Sequence, residues 1–500
     1  MEAKLQQLKT LMAEVMDLQA AAALLSWDQQ TYMPPAGAEE RSEQLATLSR
    51  LIHLKSTAPE VGQLIEDLLP YAETLPPDSD DARLIRKAKR AYDKQTKVPA
   101  DLVAEFTQVT TLAQEAWVQA RAEANFAHFR PHLEKIVELR RAYAACFAPY
   151  DHVYDPLLDD FEPGMKTAEV QAIFNALRPR QVELVRQITT RPQVEDGFLF
   201  LRYSEKKQWD FGVEVITRFG YDWKAGRQDR SAHPFTTAFG LGDVRITTRI
   251  HPRNLTSGLF STMHECGHAL YHQGIGRNLR RTLLADGASM AVHESQSRMW
   301  ENLVGRSRPF WQFAYPRLQA LFPRQLGNVS LEAFYKAINK VKPSFIRVEA
   351  DEATYNLHIM LRLELEIALA EGSLEVKDLP EAWNARMQEY LGIVPPNDRL
   401  GVLQDVHWSA GLIGYFPTYA LGNLVSAQLW EVIRRDLPDL ESRIARGEFA
   451  DLLAWLREKI HQHGAKFEPQ DLIQRVTGSP ITPEPYLRYL TAKYGEIYGL

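Results

Sequence analysis

The segment His264-Glu265-Cys266-Gly267-His268 sets two imidazoles four residues apart with a carboxylate between them. On a helix, positions i and i+4 stand one above the other on one face. Two imidazoles so placed can bind one zinc ion, and the intervening Glu265 can reach a water at the metal as general base. Chance would supply roughly 0.03 such matches in a chain of this length, so coincidence is a poor account of the pattern. The surrounding STMHECGHALYH has helical character, with Ser257 or Ser261 available to cap its start. His272 lies one turn further on, where a surface or supporting histidine is the commoner outcome than a ligand.

A catalytic zinc site needs a third protein ligand and leaves the fourth position open. Glu294, in His293-Glu294-Ser295-Gln296-Ser297-Arg298, follows His268 by 26 residues, which allows a turn and an antiparallel return helix. The expected ligand set is therefore His264, His268 and Glu294, holding one Zn2+ per chain, with Co2+ or Mn2+ able to substitute. His293 points about 100° round the same helix from Glu294, so it is expected to support a ligand rather than be one. With metal bound, water becomes acidic enough for Glu265 to take its proton and deliver it to a leaving amine. The developing oxyanion then needs a donor besides the metal.

The elements that must position these groups are mostly helices. Leu5, Leu8, Met12, Val15 and Leu18 recur at helical spacing, and similar runs cover about 38–70, 84–125, 132–146, 167–190, 256–273, 287–304, 310–321, 331–340, 345–371 and 424–460. Pro34-Pro35, Pro76-Pro77, Pro163-Gly164 and Pro395-Pro396 read as turns between them. One stretch breaks the rule: Asp243 to Ile250, DVRITTRI, alternates with a period of two and predicts a strand, entered by a turn at Gly240 and Gly242. A mostly α fold with a small sheet beside the metal helix is expected. No repeat or long linker divides the chain, which predicts one unit over residues 1–500.

The 500 residues carry 58 Lys and Arg against 64 Asp and Glu, a net charge of −6. That balance gives no electrostatic reason to expect nucleic acid or an anionic membrane as partner. There are only two cysteines, Cys146 and Cys266, too few for a disulfide scaffold and too far apart for a Cys-ligated zinc module. No apolar stretch of about 20 residues predicts a membrane span. The opening MEAKLQQLKTLMAEVMDLQ does not read as a signal peptide, so a cytoplasmic location is expected.

Several motifs, taken in order, make the chain resemble the thermostable carboxypeptidase Taq family of zinc metallocarboxypeptidases, related in fold to neurolysin and angiotensin-converting enzyme. They are His233-Pro234-Phe235, Asp243-Val244-Arg245-Ile246-Thr247, the His264–His268 segment, His293-Glu294-Ser295-Gln296, Ile346 to Asp351 (IRVEAD) and Gly401 to Trp408 (GVLQDVHW). Trp27 to Pro35 and Leu157 to Gly164 also fit, so the resemblance spans nearly the whole chain. It implies a helical, saddle-like body of two lobes with zinc at the floor of a deep groove, commonly a homodimer. It also implies an exopeptidase that removes C-terminal residues with broad preference.

Within that resemblance other residues acquire candidate roles. A free α-carboxylate is suited to an Arg fork, and Arg347 is the first choice. On a helix over 345–371 it would share one face with Asp351, Tyr355 and His358, and Asp351 would orient it; the bland alternative is an ordinary i, i+4 ion pair. Arg245, on the strand before the metal helix, is the second choice, against a salt bridge that merely holds the strand. His233, fixed extended by Pro234, is expected to narrow the groove or simply to form a turn. His407 and Tyr415 are the expected oxyanion donors, with Tyr419 behind Tyr415, and the alternative is core packing in an aromatic-rich turn.

Two other functions compete. A zinc endo-oligopeptidase would share the metal site without needing Arg347. A non-catalytic helical peptide-binding scaffold would have no use for Glu265, and a structural zinc more often has four protein ligands.

Overall fold

The computed structural model describes residues 1–500. The chain folds into α, 3-10 and π helices and one three-stranded sheet, and no helix is long and apolar enough to cross a membrane. Two compact units form, each from three separate stretches of chain. The first comprises Met1–Thr96, Glu195–Ile338 and Leu429–Gly478; the second comprises Lys97–Val194, Asn339–Gln428 and Ser479–Leu500.

Helix α1 (Glu2–Thr31) packs Leu5, Leu8 and Met12 against Val61, Leu64, Ile65 and Leu68 of the helix Pro59–Ala72; of the rest of the predicted stripe, Val15 is buried and Leu18 half-buried. The run expected over 38–70 is thus two helices, Ala38–Ser56 and Pro59–Ala72, and that over 84–125 is Asp80–Lys97 and Ala100–Glu123. Proline explains both breaks. Pro59 fits the first turn of a helix, and Pro99 sits at an N-cap, but each pushes the residue before it out of the helical region.

The predicted strand is β3 (Asp243–Thr248), the middle of a sheet ordered β1-β3-β2. Strand β1 (Gln228–Arg230) runs parallel to it and β2 (Thr236–Gly240) antiparallel, pairing Thr236 with Ile246 and Thr237 with Arg245. The two flanking strands lack an apolar alternation long enough to show in the sequence. Being central, β3 buries Thr247 and Thr248 as well as Val244 and Ile246.

Behind the sheet lies α2 (Leu255–Gly274), which carries His264, Glu265 and His268 and packs on β3, on the helix Glu205–Phe219 and on α3 (Met290–Arg298). Its start is capped by Asn254, whose side chain accepts from the Thr256 and Ser257 amides, rather than by Ser257 or Ser261. Gly267 sets the distance between α2 and α3: a Cβ there would lie 2.6 Å from both the Gln296 carbonyl oxygen and Ser297 Cα. A bare glycine lets the backbone that carries Glu294 come close to the two histidines.

In the second unit, α4 (Glu352–Glu371) is buried on nearly every side, and its buried residues include Asn356, His358, Arg362 and Glu366 as well as apolar ones. It begins later than the expected 345. Asp351 is its N-cap, accepting from the Ala353 and Thr354 amides, and Arg347 lies in a separate 3-10 turn, Arg347–Glu349. Arg347 and Asp351 therefore do not share a helix face. After the helix Leu379–Leu391 the chain runs without a long regular element until Pro417, and residues 401–416 form a loop rich in turns.

Candidate active site

In the first unit, α2 and α3 bring His264, His268 and Glu294 together, with their ligand atoms all within 4.8 Å of one another. Glu294 Oε2 stands 3.5 Å from Nε2 of each histidine. Two imidazole nitrogens and one carboxylate oxygen, converging from two packed helices, suit a borderline-soft divalent cation.

Both histidines are also gripped from behind, as metal-binding imidazoles usually are. His264 Nδ1 lies 2.9 Å from Glu301 Oε2. His268 Nδ1 lies 2.6 Å from His293 Nδ1, and His293 Nε2 lies 2.9 Å from His272 Nε2. His293 is thus the support expected of it, and His272 stands behind His293 and outside the ligand cluster.

The carboxylates are held ionised. Burial works to protonate Glu294, but the Arg298 charge and His264 outweigh it and keep the carboxyl well below its usual range. Arg298 Nε donates to Glu294 Oε1 at 2.7 Å, turning Oε2 toward the histidines. Glu301 behaves alike: burial opposes ionisation, yet Arg298 and the hydrogen bond with His264 bring its pKa down to about 2.

Glu265 is buried between α2 and β2. The Thr236 hydroxyl, on β2, lies 2.7 Å from Glu265 Oε2 and 2.9 Å from the Glu265 carbonyl oxygen. That contact leaves Oε1 available to a proton.

Sequence reasoning missed Glu301 and Thr236. Glu301 carried a usable signal, since Glu294, Arg298 and Glu301 recur at helical spacing, and the wider π turn Met299–Val304 keeps Glu301 on that face. Thr236 carried none, because strand β2 itself was not foreseen.

Arg245 is engaged by Asp243, Nε to Oδ1 and Nη2 to Oδ2, both at 2.8 Å, and its guanidinium lies 4.4 Å from the centre of the Trp27 ring. His233 is exposed in the bend before β2, where its carbonyl accepts from the Ser231 hydroxyl at 2.5 Å.

The second unit gathers the remaining candidates. Arg347 is buried, and its Nε and Nη2 donate to Asp405 Oδ1 at 3.1 and 2.8 Å while Nη1 donates to the Tyr355 hydroxyl at 2.9 Å. Asp405, and not Asp351, orients it. The other Asp405 oxygen accepts from Arg362 Nε and Nη2 at 2.8 and 2.6 Å. Burial disfavours the Asp405 charge, but the two guanidiniums hold its pKa far below the ordinary range.

His407 packs beside Phe416 and Tyr415, with ring centres 4.5 and 5.4 Å apart, and its Nε2 is 3.4 Å from the Tyr419 hydroxyl. Burial pushes its pKa down to about 4, so it is neutral near pH 7 and has one N–H to donate.

A model of the carboxypeptidase Taq (M32) metallopeptidase family matches residues 7–494. Thermostable carboxypeptidase 1 of Thermus thermophilus is 43% identical over 508 residues, an alignment covering 100% of this chain and 99% of that protein. Carboxypeptidase 1 of Bacillus subtilis is 40% identical over 481 residues, 96% of each chain. Among solved structures, an M32 carboxypeptidase from Deinococcus radiodurans R1 superposes with a TM-score of 0.97 at 40% identity, covering 100% of both chains. A Pyrococcus furiosus carboxypeptidase does so with a TM-score of 0.94 at 37% identity, covering 98% of this chain and 99% of that one.

Proposed function

This chain belongs to the carboxypeptidase Taq (M32) metallopeptidase family and is a metallocarboxypeptidase, and on that premise we propose that His264, His268 and Glu294 hold one zinc ion beside Glu265 as general base. The observation that carries this assignment is the convergence of three ligand atoms of the right chemistry within 4.8 Å, each histidine braced through its other ring nitrogen. Co2+ and Mn2+ suit the same donors and are expected to substitute.

The ion, when bound, supplies Lewis acidity to the scissile carbonyl and lowers the pKa of water toward neutrality. The protein does the rest. Thr236 fixes Glu265 Oε2, so Oε1 takes the proton of the attacking water and passes it to the departing amine nitrogen. Arg298 keeps Glu294 oriented and ionised, and Glu301 fixes the orientation of the His264 ring through Nδ1.

We assign recognition of the substrate's terminal carboxylate to Arg347. Asp405 and Tyr355 occupy three of its five N–H groups, which fixes the guanidinium plane and leaves two for an anion. Arg245, already bidentate to Asp243, ranks second, and the exposed His233 third. Oxyanion donation is assigned to Tyr415 and His407, supported by their packing in one aromatic cluster with a neutral imidazole.

Peptides with a free C-terminus and broad side-chain tolerance are the proposed substrates. A homodimer is the proposed assembly and the cytoplasm the proposed location, the latter consistent with two free cysteines.

The test is to incubate the protein with one peptide bearing either a free or an amidated C-terminus and to follow products by mass. Stepwise loss from the free peptide alone, abolished by a chelator and by Glu265→Gln, is expected. Internal cuts in both peptides would instead indicate an endopeptidase, and no metal-dependent cleavage a binding scaffold.

A further inference from the structure

Glu366 lies on α4, fully buried, in the second unit. Three donors converge on its carboxylate. Trp408 Nε1 donates to Oε1 at 2.7 Å, while the Gly414 amide and the Tyr154 hydroxyl donate to Oε2 at 3.0 and 2.6 Å. Two of the three come from the 401–416 loop, and their placement is specific: Trp408 follows His407, and Gly414 precedes Tyr415.

The same loop is held at other points near its end. Arg140 Nη2 lies 3.4 Å from the Ile413 carbonyl oxygen and 3.0 Å from Asp160 Oδ2, and the Phe161 ring packs edge-on to Tyr415 with centres 5.1 Å apart. Gly414 has φ +105°, and a Cβ there would lie 2.2 Å from the Leu157 carbonyl oxygen. The Leu157–Gly164 motif, which suggested no chemistry in the sequence, is thus the seat on which this loop rests.

A buried carboxylate is a costly way to tie down a loop that apolar packing could hold. Its advantage is directional: two donors from one loop, fixed by two oxygens of one rigid group, set the spacing between the residues beside them. We propose that Glu366 is a positioning residue, which fixes His407 and Tyr415 relative to one another by binding the Trp408 indole N–H and the Gly414 amide. The proposal rests on the assignment of those two residues as oxyanion donors. Glu366 itself, buried inside the second unit, acts only through them.

The test uses the full-length, metal-loaded enzyme. Glu366→Gln keeps the size of the side chain but sets an amide N–H₂ against at least one of the donors. Trp408→Phe removes one loop bond and leaves Glu366 in place, covering the case in which the first variant does not fold. Each is expected to lower kcat roughly ten- to a hundredfold with KM within about twofold, the signature of a misplaced donor and not of lost binding. In a His407→Gln/Tyr415→Phe background the Glu366→Gln or Trp408→Phe change is expected to cost nothing further, and losses that multiply would overturn the proposal.

If His407→Gln/Tyr415→Phe itself leaves kcat unchanged, the donor assignment fails, and Glu366 is judged by 15N-histidine spectra. The His407 resonance, identified by its disappearance in His407→Gln, must shift in Glu366→Gln, or in Glu366→Asp where the former does not fold. An unmoved resonance would refute the positioning role.

Discussion

Thr236 and Glu265 meet through one hydroxyl group, which lies 2.7 Å from the carboxylate oxygen and 2.9 Å from the carbonyl oxygen of the same glutamate. The contact couples the edge strand β2 to α2, and it decides which of the two carboxylate oxygens stays free for the general-base role proposed for Glu265. A general base must be aimed as well as basic, and nothing else in the protein hydrogen-bonds this side chain.

Thr236→Val keeps the β-branched shape that suits a strand and removes only the hydroxyl. Freed from its anchor, Glu265 should populate rotamers that point away from the attacking water. We expect kcat to fall about tenfold, near the value of one net hydrogen bond to a charged group, with KM little changed. Thr236→Ser, which restores the hydroxyl, should recover most of the rate. Steady-state kinetics on the three proteins decide it, and a Val variant as fast as the parent would remove Thr236 from the mechanism.

Glu301 does for His264 what His293 does for His268, but with a full negative charge. Its Oε2 accepts from His264 Nδ1, which fixes the tautomer with the Nε2 lone pair free and raises the electron density of the ring. Glu301→Gln keeps a hydrogen-bonding group and removes the charge. Metal affinity is expected to fall roughly ten- to a hundredfold, measured by competition against a chromophoric chelator and not by activity. Full activity at saturating metal would accompany that loss. Unchanged affinity would mean that the charge of Glu301 serves only Arg298 and Arg306.

The cluster proposed to hold the metal is legible in the sequence because its spacing is local. His264 and His268 declare themselves through one helical turn, and Glu294 through a helix near enough to fold back. Gly267 sits in plain view without disclosing its task, since a close approach of two backbones is a tertiary fact. Arg347 stands out in the sequence as a candidate, but its surroundings do not. The i+4 spacing points to Asp351 as its partner, whereas the cap at Asp351 starts the helix only there and the true partner, Asp405, is 58 residues away. Glu366 gives no signal at all. A glutamate within an apolar helix can be solvated or buried, and only the donors brought in by Tyr154, Trp408 and Gly414 distinguish the two.

Buried titratable groups make the pH dependence of stability a test of the fold itself. His461 is fully buried, its Nε2 is 2.9 Å from Gln296 Oε1, and burial pushes its pKa down to about 3. The unfolded chain binds a proton there near pH 6.5 and the folded protein does not. Stability linked to His461 is therefore fully present above about pH 6.5 and is lost as pH falls from there toward 3, by at most about 1.4 kcal/mol per pH unit. Glu366 and Asp351 act in the opposite sense. Burial raises their pKa values to about 7 and about 6, so their contribution is complete below the usual carboxylate range and is lost as pH rises through those values. The raw profile of the parent protein mixes these slopes, and the His461 share has to be isolated by difference. His461→Gln removes the ionisable ring but keeps a polar side chain facing Gln296. Its offset at pH 7 reflects lost packing on Tyr271 and is constant with pH, whereas the gap between parent and variant should close steadily from pH 6.5 to pH 4.5. Urea unfolding at three pH values in that window measures the gap. Parallel curves would mean that His461 takes up its proton in the folded protein as readily as in the unfolded chain, and that its site is wetter than its packing against Tyr271 implies.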